Sequence, residues 1–99
     1  SVIACGERWP EGSLRPALED LLGAGAVLSY LGGHLSPEAS AAVAAWERAK
    51  ESIPSIVANC ASGRELVERG RLDDLEYAAD VGVSTVVPTL TEGAFRRAS

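Results

Sequence analysis

Apolar positions at the start of the chain predict a short strand that leads through a polar loop into a helix. Residues 2–5 are apolar, residues 6–15 contain turn-forming and charged residues, and a helix is predicted to open near Pro16. In α/β folds, side chains at the end of a strand and amides at the start of a helix meet in one crevice. We therefore expect this opening unit to organise the chemistry.

The predicted first helix has an apolar stripe and a nearly apolar second half. Its other face is acidic at Glu19 and Asp20 and then becomes apolar, which predicts burial on both sides. Gly23 and Gly25 each cost about 1 kcal/mol inside a helix, a cost usually tolerated where a neighbouring backbone comes close, and this fragment could lack that neighbour. Gly32-Gly33 is predicted to end the helix. The core stripe comprises Leu18, Leu21, Leu22, Gly25 and Leu28.

Start and stop signals predict four further helices and a second strand. Ser36-Pro37 opens a covering helix, and Pro54 interrupts it and starts a short one. The pairs Ser62 with Glu65 and Asp73 with Glu76 have capping-box spacing, which predicts two brief helices ending at Gly70 and Gly82. Residues 84–90 are the second predicted strand, and residues 94–95 are predicted to pair back after a turn at Glu92-Gly93.

These elements predict the α/β class, as a partial three-layer-like domain with few strands and four to five helices. The 99 residues, 46% of them hydrophobic, fit one domain of residues 1–99. The chain contains no methionine, even at position 1, and we expect it to be a fragment of a larger α/β protein.

Charge and cysteine content limit the partners. A net charge of −5 argues against nonspecific binding to nucleic acid or anionic membranes, although a local arginine cluster could still bind an anionic substrate. The uncharged stretch of the first predicted helix, residues 21–31, is too short to cross a bilayer. Cys5 and Cys60 do not have metal-ligand spacing, and two reduced thiols in a cytoplasmic protein are expected.

Charged residues concentrate where the predicted strand, loop and helix meet: Glu7, Arg8, Arg15, Glu19 and Asp20. Carboxylates are suitable Mg²⁺ ligands, and arginines match oxyanions. Each residue also has a structural alternative. Acids in a first helical turn complement the helix dipole, Arg15 has i,i+4 spacing to Glu19, and Glu7 could simply pair with Arg8.

A second candidate site lies at the predicted helix start of Ser62, Gly63 and Arg64, where free amides attract anions. The capping box explains Ser62 without any ligand. Cys60 has an arginine four residues on rather than six, so the loop of cysteine-dependent phosphatases is absent. His34, the single histidine, is expected to be a plain loop residue.

Several runs together resemble a known family. The stretch IACGERWPEGSLRPALEDLLGAGAVL, the helix start LSPEA and the stretch CASGRELVERGRLDDLEYAADVGVSTVVPTLTEGAF are similar to the C-terminal half of the 2-phosphosulfolactate phosphatase family. The resemblance covers residues 2–95. Its most specific part is the pairing of GERW, LRPALED and GAG with SGREL and DD.

The resemblance implies a Mg²⁺-dependent phosphatase of coenzyme M biosynthesis, which hydrolyses 2-phosphosulfolactate to sulfolactate and phosphate. It implies Glu19 and Asp20 as Mg²⁺ ligands and catalytic groups together with Glu7. The anionic phosphate ester would be bound by Arg8, Arg15, Ser62, Gly63 and Arg64. The family chain is longer, so a missing N-terminal half that holds the nucleophile is an expected partner.

The alternative is a non-catalytic α/β assembly module. In this interpretation the glycine-faced helix docks against a partner or against a second copy of the chain, and neither metal nor anion is needed.

Overall fold

Helices dominate the structure, a computed structural model that describes residues 1–98. Within these residues there are five α-helices and two short antiparallel hairpins, so the mixed α and β class is confirmed. In chain order the elements are β1 Glu7–Arg8, β2 Leu14–Arg15, α1 Leu18–Leu31, α2 Pro37–Ala49, α3 Ile53–Asn59, α4 Ala61–Glu68, α5 Leu72–Ala78, β3 Pro88–Thr91 and β4 Ala94–Arg97.

Helices α1 and α2 form an antiparallel pair that carries most of the core. Gly32 and Gly33 adopt φ of 65° and 88°, which favours glycine and ends α1 where the sequence predicts. Ser36 then caps α2, because its hydroxyl accepts a hydrogen bond from the Ala39 amide at 3.2 Å. Pro37 occupies the first turn, as predicted. The buried cluster between the helices and α3 consists of Leu22, Trp46, Ala49 and Ile53.

Gly25 explains how closely α1 approaches α2. A Cβ atom at Gly25 would lie 2.1 Å from the Ala42 carbonyl oxygen and 2.9 Å from the Cβ of Trp46. The predicted close approach is therefore confirmed at Gly25. At Gly23 no such neighbour is present among residues 1–98, since no atom outside the local helix backbone lies within 4 Å of a Cβ built there.

Three short helices follow α2 and pack around its end. A 3-10 turn, Lys50–Ser52, joins α2 to α3, and Pro54 stands in the first turn of α3 as predicted. A Cβ at Gly63 of α4 would meet the Val57 carbonyl oxygen at 1.8 Å, so only glycine allows this α3–α4 corner. Leu75 of α5 is 4% exposed and completes the core.

The predicted strand at residues 2–5 is wrong. These residues form no strand, and the Ile3 side chain is 89% exposed. A strand needs a partner for its backbone hydrogen bonds and a covered face for its apolar side chains, and no described segment supplies either.

Burial on both sides of α1 is also wrong within residues 1–98. On the other face, Val27 and Leu31 are 51% and 65% exposed. The predicted stripe is buried only in part, because Leu22 and Gly25 are buried. Leu18 and Leu21 of the same stripe are 39% and 42% exposed, so the prediction is wrong for these two. The described helices cover one face of α1 because α2 packs along that face alone.

The second predicted strand is present but begins later. β3 starts at Pro88 rather than at residue 84, and β4 pairs with it, so the predicted return at residues 94–95 is confirmed. Glu92 and Gly93 adopt φ of 52° and 77°, which reverses the chain in two residues. Both strands are exposed throughout.

Asp73 does not cap the fifth helix. Helix α5 has Arg71 at its N-cap, and Arg71 forms an ion pair with Asp74. Among the described residues, no helix has the length and apolar character that crossing a membrane requires.

The two glycines of α1 give a matched test of the packing. We expect Gly25→Ala to lower the free energy of unfolding by about 1–3 kcal/mol, because the new methyl group overlaps the α2 backbone. Gly23→Ala should instead raise it by about 0.5–1 kcal/mol, since an open helical glycine gains from the added Cβ. Urea unfolding of the two variants measures both changes. Equal effects would contradict the close approach at Gly25.

Candidate functional site

A cleft of about 440 Å³ lies between the first hairpin, the start of α1 and helices α3 to α5. Its polar groups come from two stretches that are far apart in sequence, residues 7–19 and 60–69, so the cleft depends on the tertiary fold. Its lining residues are Glu7, Arg15, Glu19, Val57, Cys60, Ser62, Gly63, Glu65, Leu66, Arg69, Leu75 and Ala78.

The β1–β2 hairpin presents two of the charges. Its turn is closed by hydrogen bonds from the Trp9 amide to the Ser13 carbonyl and from the Gly12 amide to the Trp9 carbonyl, each 2.8 Å. The register places Glu7 directly opposite Arg15. Directly opposite residues share one face of a hairpin, and both side chains line the cleft.

Arg15 is the buried charge of the structure, with 9% of its surface exposed. Its Nη1 donates to Glu65 Oε1 at 2.9 Å and its Nη2 donates to Ser62 Oγ at 3.2 Å. The guanidinium also lies over the Trp9 ring, 5.2 Å from the centroid. The buried Nε has no hydrogen-bond partner among residues 1–98. The predicted alternative partner, Glu19, is therefore not the acid that pairs with Arg15.

The start of α4 differs from the predicted capping box. Cys60, not Ser62, is the N-cap, and its sulfur accepts from the Gly63 amide at 3.4 Å. The thiol has two acceptors in reach, the Val57 carbonyl at 3.1 Å and Glu19 Oε2 at 3.8 Å. The prediction failed because serine is the commoner cap, whereas the α3–α4 corner at Gly63 starts the helix two residues earlier. Ser62 and Glu65 are thereby released to contact Arg15.

The two acids predicted to bind metal face different surroundings. Glu19 lines the cleft, whereas Asp20 does not. Both border a second, more open hollow of about 270 Å³ beside residues 2–5. Among residues 1–98, no three acidic, histidine or cysteine side chains gather as a ligand set. Carboxylate oxygens suit Mg²⁺, which keeps several water ligands, so binding of this ion by Glu19 and Asp20 stays a prediction.

Two predicted arginines lie outside the cleft. Arg8 donates to the Gly12 carbonyl at 2.7 Å and braces the hairpin turn. Arg64 is exposed and does not line the cleft. Gly63 does line it, but its amide is already bonded to Cys60.

Arg69 is a cleft residue that the sequence reasoning missed. A usable signal was present, because residues spaced three, four and seven apart share a helix face. Counted from Ser62, these positions are Glu65, Leu66 and Arg69, and all four residues line the cleft. Arg64 falls on a different face, which explains its position outside.

The charge of the cleft is not complementary to a polyanion. Its lining includes three carboxylates, on Glu7, Glu19 and Glu65, and two guanidinium groups, on Arg15 and Arg69. Because three minus two leaves one negative charge, these residues alone would repel a multiply charged anion.

Two comparisons with known proteins point to the same family. The family model described as 2-phosphosulpholactate phosphatase matches residues 3–93. A curated protein of Gloeobacter violaceus, named "Probable 2-phosphosulfolactate phosphatase", is 32% identical over 91 residues. The match covers 92% of this chain and 37% of that relative. No solved structure matches the chain.

A double-mutant cycle tests the Arg15–Glu65 contact. We expect Arg15→Gln to lower the free energy of unfolding by about 1–3 kcal/mol, because a buried charge-assisted hydrogen bond is lost. Coupling between Arg15→Gln and Glu65→Gln should be about 1 kcal/mol, a modest value because the Glu65 side chain is 42% exposed. Arg71→Gln, which breaks the exposed pair with Asp74, serves as the control and should cost less than about 0.5 kcal/mol. A coupling energy of zero would show that the Arg15–Glu65 contact does not contribute to the free energy of unfolding.

Substitutions of Cys60 test its role as a cap. We expect Cys60→Ala to destabilise the chain by about 0.5–1 kcal/mol, because the Gly63 amide loses its acceptor. Cys60→Ser, which restores a hydroxyl acceptor, should be at least as stable as the parent chain. Thermal unfolding measures both, with exposed Cys5→Ala as the neutral control. A serine variant as unstable as the alanine variant would exclude the capping role.

Proposed function

The chain belongs to the 2-phosphosulfolactate phosphatase family, and on that premise we propose that its cleft forms part of a phosphate-monoester hydrolase site. The observation that supports this proposal is that Glu7, Arg15 and Glu19 of the opening stretch meet Ser62 of α4 in one cleft. Carboxylates beside oxyanion-binding groups are the parts that phosphoryl transfer to water requires.

The positively charged side of the proposed site is the one next to α4. The first amides of a helix lack intrahelical acceptors, and at α4 those of Ala61 and Ser62 are not used by the Cys60 cap. Arg15 and these amides would bind phosphoryl oxygens, while Gly63 keeps the corner tight. Arg8 and Arg64, which lie outside the cleft, are not assigned to the substrate in this proposal.

The acidic side of the site supplies the proton-transfer groups. Glu7 and Glu19 line the cleft without forming an ion pair among residues 1–98. Either carboxylate would orient a water molecule or accept its proton as the water attacks phosphorus. In this arrangement Arg15 stays fixed by Glu65, so the binding side does not reorganise during the reaction.

We also propose Mg²⁺ dependence, with Glu19 and Asp20 as the residues that would hold the ion. A bound divalent cation would neutralise phosphoryl charge. The excess negative charge of the cleft supports this proposal, since two added positive charges would make its net charge favourable for an anion.

The proposed substrate is 2-phosphosulfolactate, cleaved to sulfolactate and phosphate in coenzyme M biosynthesis. The support is the name of the family and of the Gloeobacter relative. The chain spans about 37% of that relative, so residues beyond those in this chain are part of the proposal. A cytoplasmic location and correspondence to the C-terminal half of the family remain predictions from the sequence.

A second candidate function rests on the exposed apolar surface. Val27 and Leu31 on α1 and Leu90 and Phe95 on the last hairpin are each more than half exposed. An assembly module that pairs with a second copy would cover such side chains. Light scattering coupled to size-exclusion chromatography tests this alternative, because a dimer that is independent of metal and phosphate would favour it.

The hydrolase proposal is tested by phosphate release from 2-phosphosulfolactate. We expect the whole protein, which includes the family residues beyond this chain, to release phosphate with Mg²⁺. EDTA or the double variant Glu19→Gln with Asp20→Asn should reduce the rate at least 100-fold, as about 3 kcal/mol of lost charge stabilisation gives. The matched control is Asp73→Asn with Glu76→Gln, which removes two exposed acids of α5 outside the cleft. Full activity in EDTA, or in the Glu19 and Asp20 variant, would refute the metal assignment.

A further inference from the structure

Arg69 has a different environment from the other cleft arginine. It follows the last turn of α4, where its amide donates to the Glu65 carbonyl at 3.0 Å. Its side chain lines the cleft, and within residues 1–98 its guanidinium forms neither an ion pair nor a hydrogen bond. Its guanidinium N–H donors therefore remain available to a ligand.

The Arg15–Glu65 contact explains why Arg69 is unpaired. Glu65 and Arg69 have i,i+4 spacing, with the acid first, which is the favourable order for a helix ion pair. Glu65 instead accepts from Arg15 at 2.9 Å across 50 residues of sequence. Because the acid is taken by a partly buried partner, the helix pair does not form and one cation faces the cleft.

The remaining arginines near the cleft do not have this property. Arg15 commits one donor to Glu65 and one to Ser62. Arg71 pairs with Asp74, and Arg8 donates to the Gly12 carbonyl outside the cleft. Among the arginines that line the cleft, Arg69 is thus the one with no internal partner in the described chain.

We infer that Arg69 is a substrate-binding residue of the cleft and binds the phosphoryl group of the phosphate ester. This inference deepens the proposed function and rests on it for the identity of the ester. The two parallel N–H donors of the guanidinium match two oxygens of a tetrahedral phosphate. Binding would also pair the positive charge of Arg69 with the negative charge of the phosphoryl group. Arg64, five residues earlier on another face of α4, has the same charge without access to the cleft.

Calorimetric titration of inorganic phosphate into the full chain, with Mg²⁺ present to offset the excess negative charge of the cleft, tests the assignment. We expect Arg69→Gln to weaken phosphate binding about tenfold and Arg69→Lys to weaken it less, because lysine keeps the charge but loses the fork. Arg64→Gln is the matched control and should bind phosphate as the parent does. Both residues are exposed, so the thermal midpoint should not change in any of these variants.

The opposite results overturn the inference. Phosphate affinity that is unchanged in Arg69→Gln, an equal loss in Arg64→Gln, or no phosphate binding by the parent chain would each exclude the assignment. Phosphate release from 2-phosphosulfolactate, measured on the same variants, separates this outcome from the proposed function. Arg69-dependent binding without hydrolysis would support the inference and refute the hydrolase proposal. Hydrolysis that is independent of Arg69 would support the hydrolase proposal and refute the inference.

Discussion

The contact between Arg15 and Glu65 is the interaction on which the site depends. A buried guanidinium is costly unless it is paired, and the Arg15 pair joins the first hairpin to α4 across 50 residues of sequence. Its stacking on Trp9 and its bond to Ser62 fix the same group from two further directions. The cleft has its shape because this one charge must be satisfied there.

Two glycines allow the close packing of the helices around this contact. Gly25 lets α1 approach the α2 backbone, and Gly63 lets α4 turn back against the end of α3. The core itself is small, and no side chain within residues 1–98 is completely buried. In so small a core, close backbone contacts and a partly buried ion pair carry a larger share of the fold's specificity than they would in a larger domain.

The site follows from this arrangement. When Arg15 binds Glu65, it also withdraws that acid from Arg69, so a structural contact determines which cation is free to meet a ligand. The same arrangement leaves Glu7 and Glu19 on the opposite side of the cleft. An anionic substrate is attracted to such a cleft only when further positive charge is present, which links the proposed phosphatase activity to the proposed divalent cation.

The sequence by itself determined the local features. The glycine end of α1, the Ser36-Pro37 start of α2, the break at Pro54 and the turn at Glu92-Gly93 were all predictable, because each depends on the φ preference or capping ability of adjacent residues. The resemblance to a phosphatase family was likewise readable from the runs of residues and agrees with the family match.

Only the tertiary structure decided which residues share a cavity. A capping box and a C-x-x-G cap look equally plausible in sequence, and the steric demand at the α3–α4 corner selected Cys60. An apolar run such as residues 2–5 becomes a strand only where another segment offers hydrogen bonds, and none of the described segments does. The partner of Arg15 lies 50 residues away, and long-range pairing of this kind depends on packing rather than on spacing along the chain.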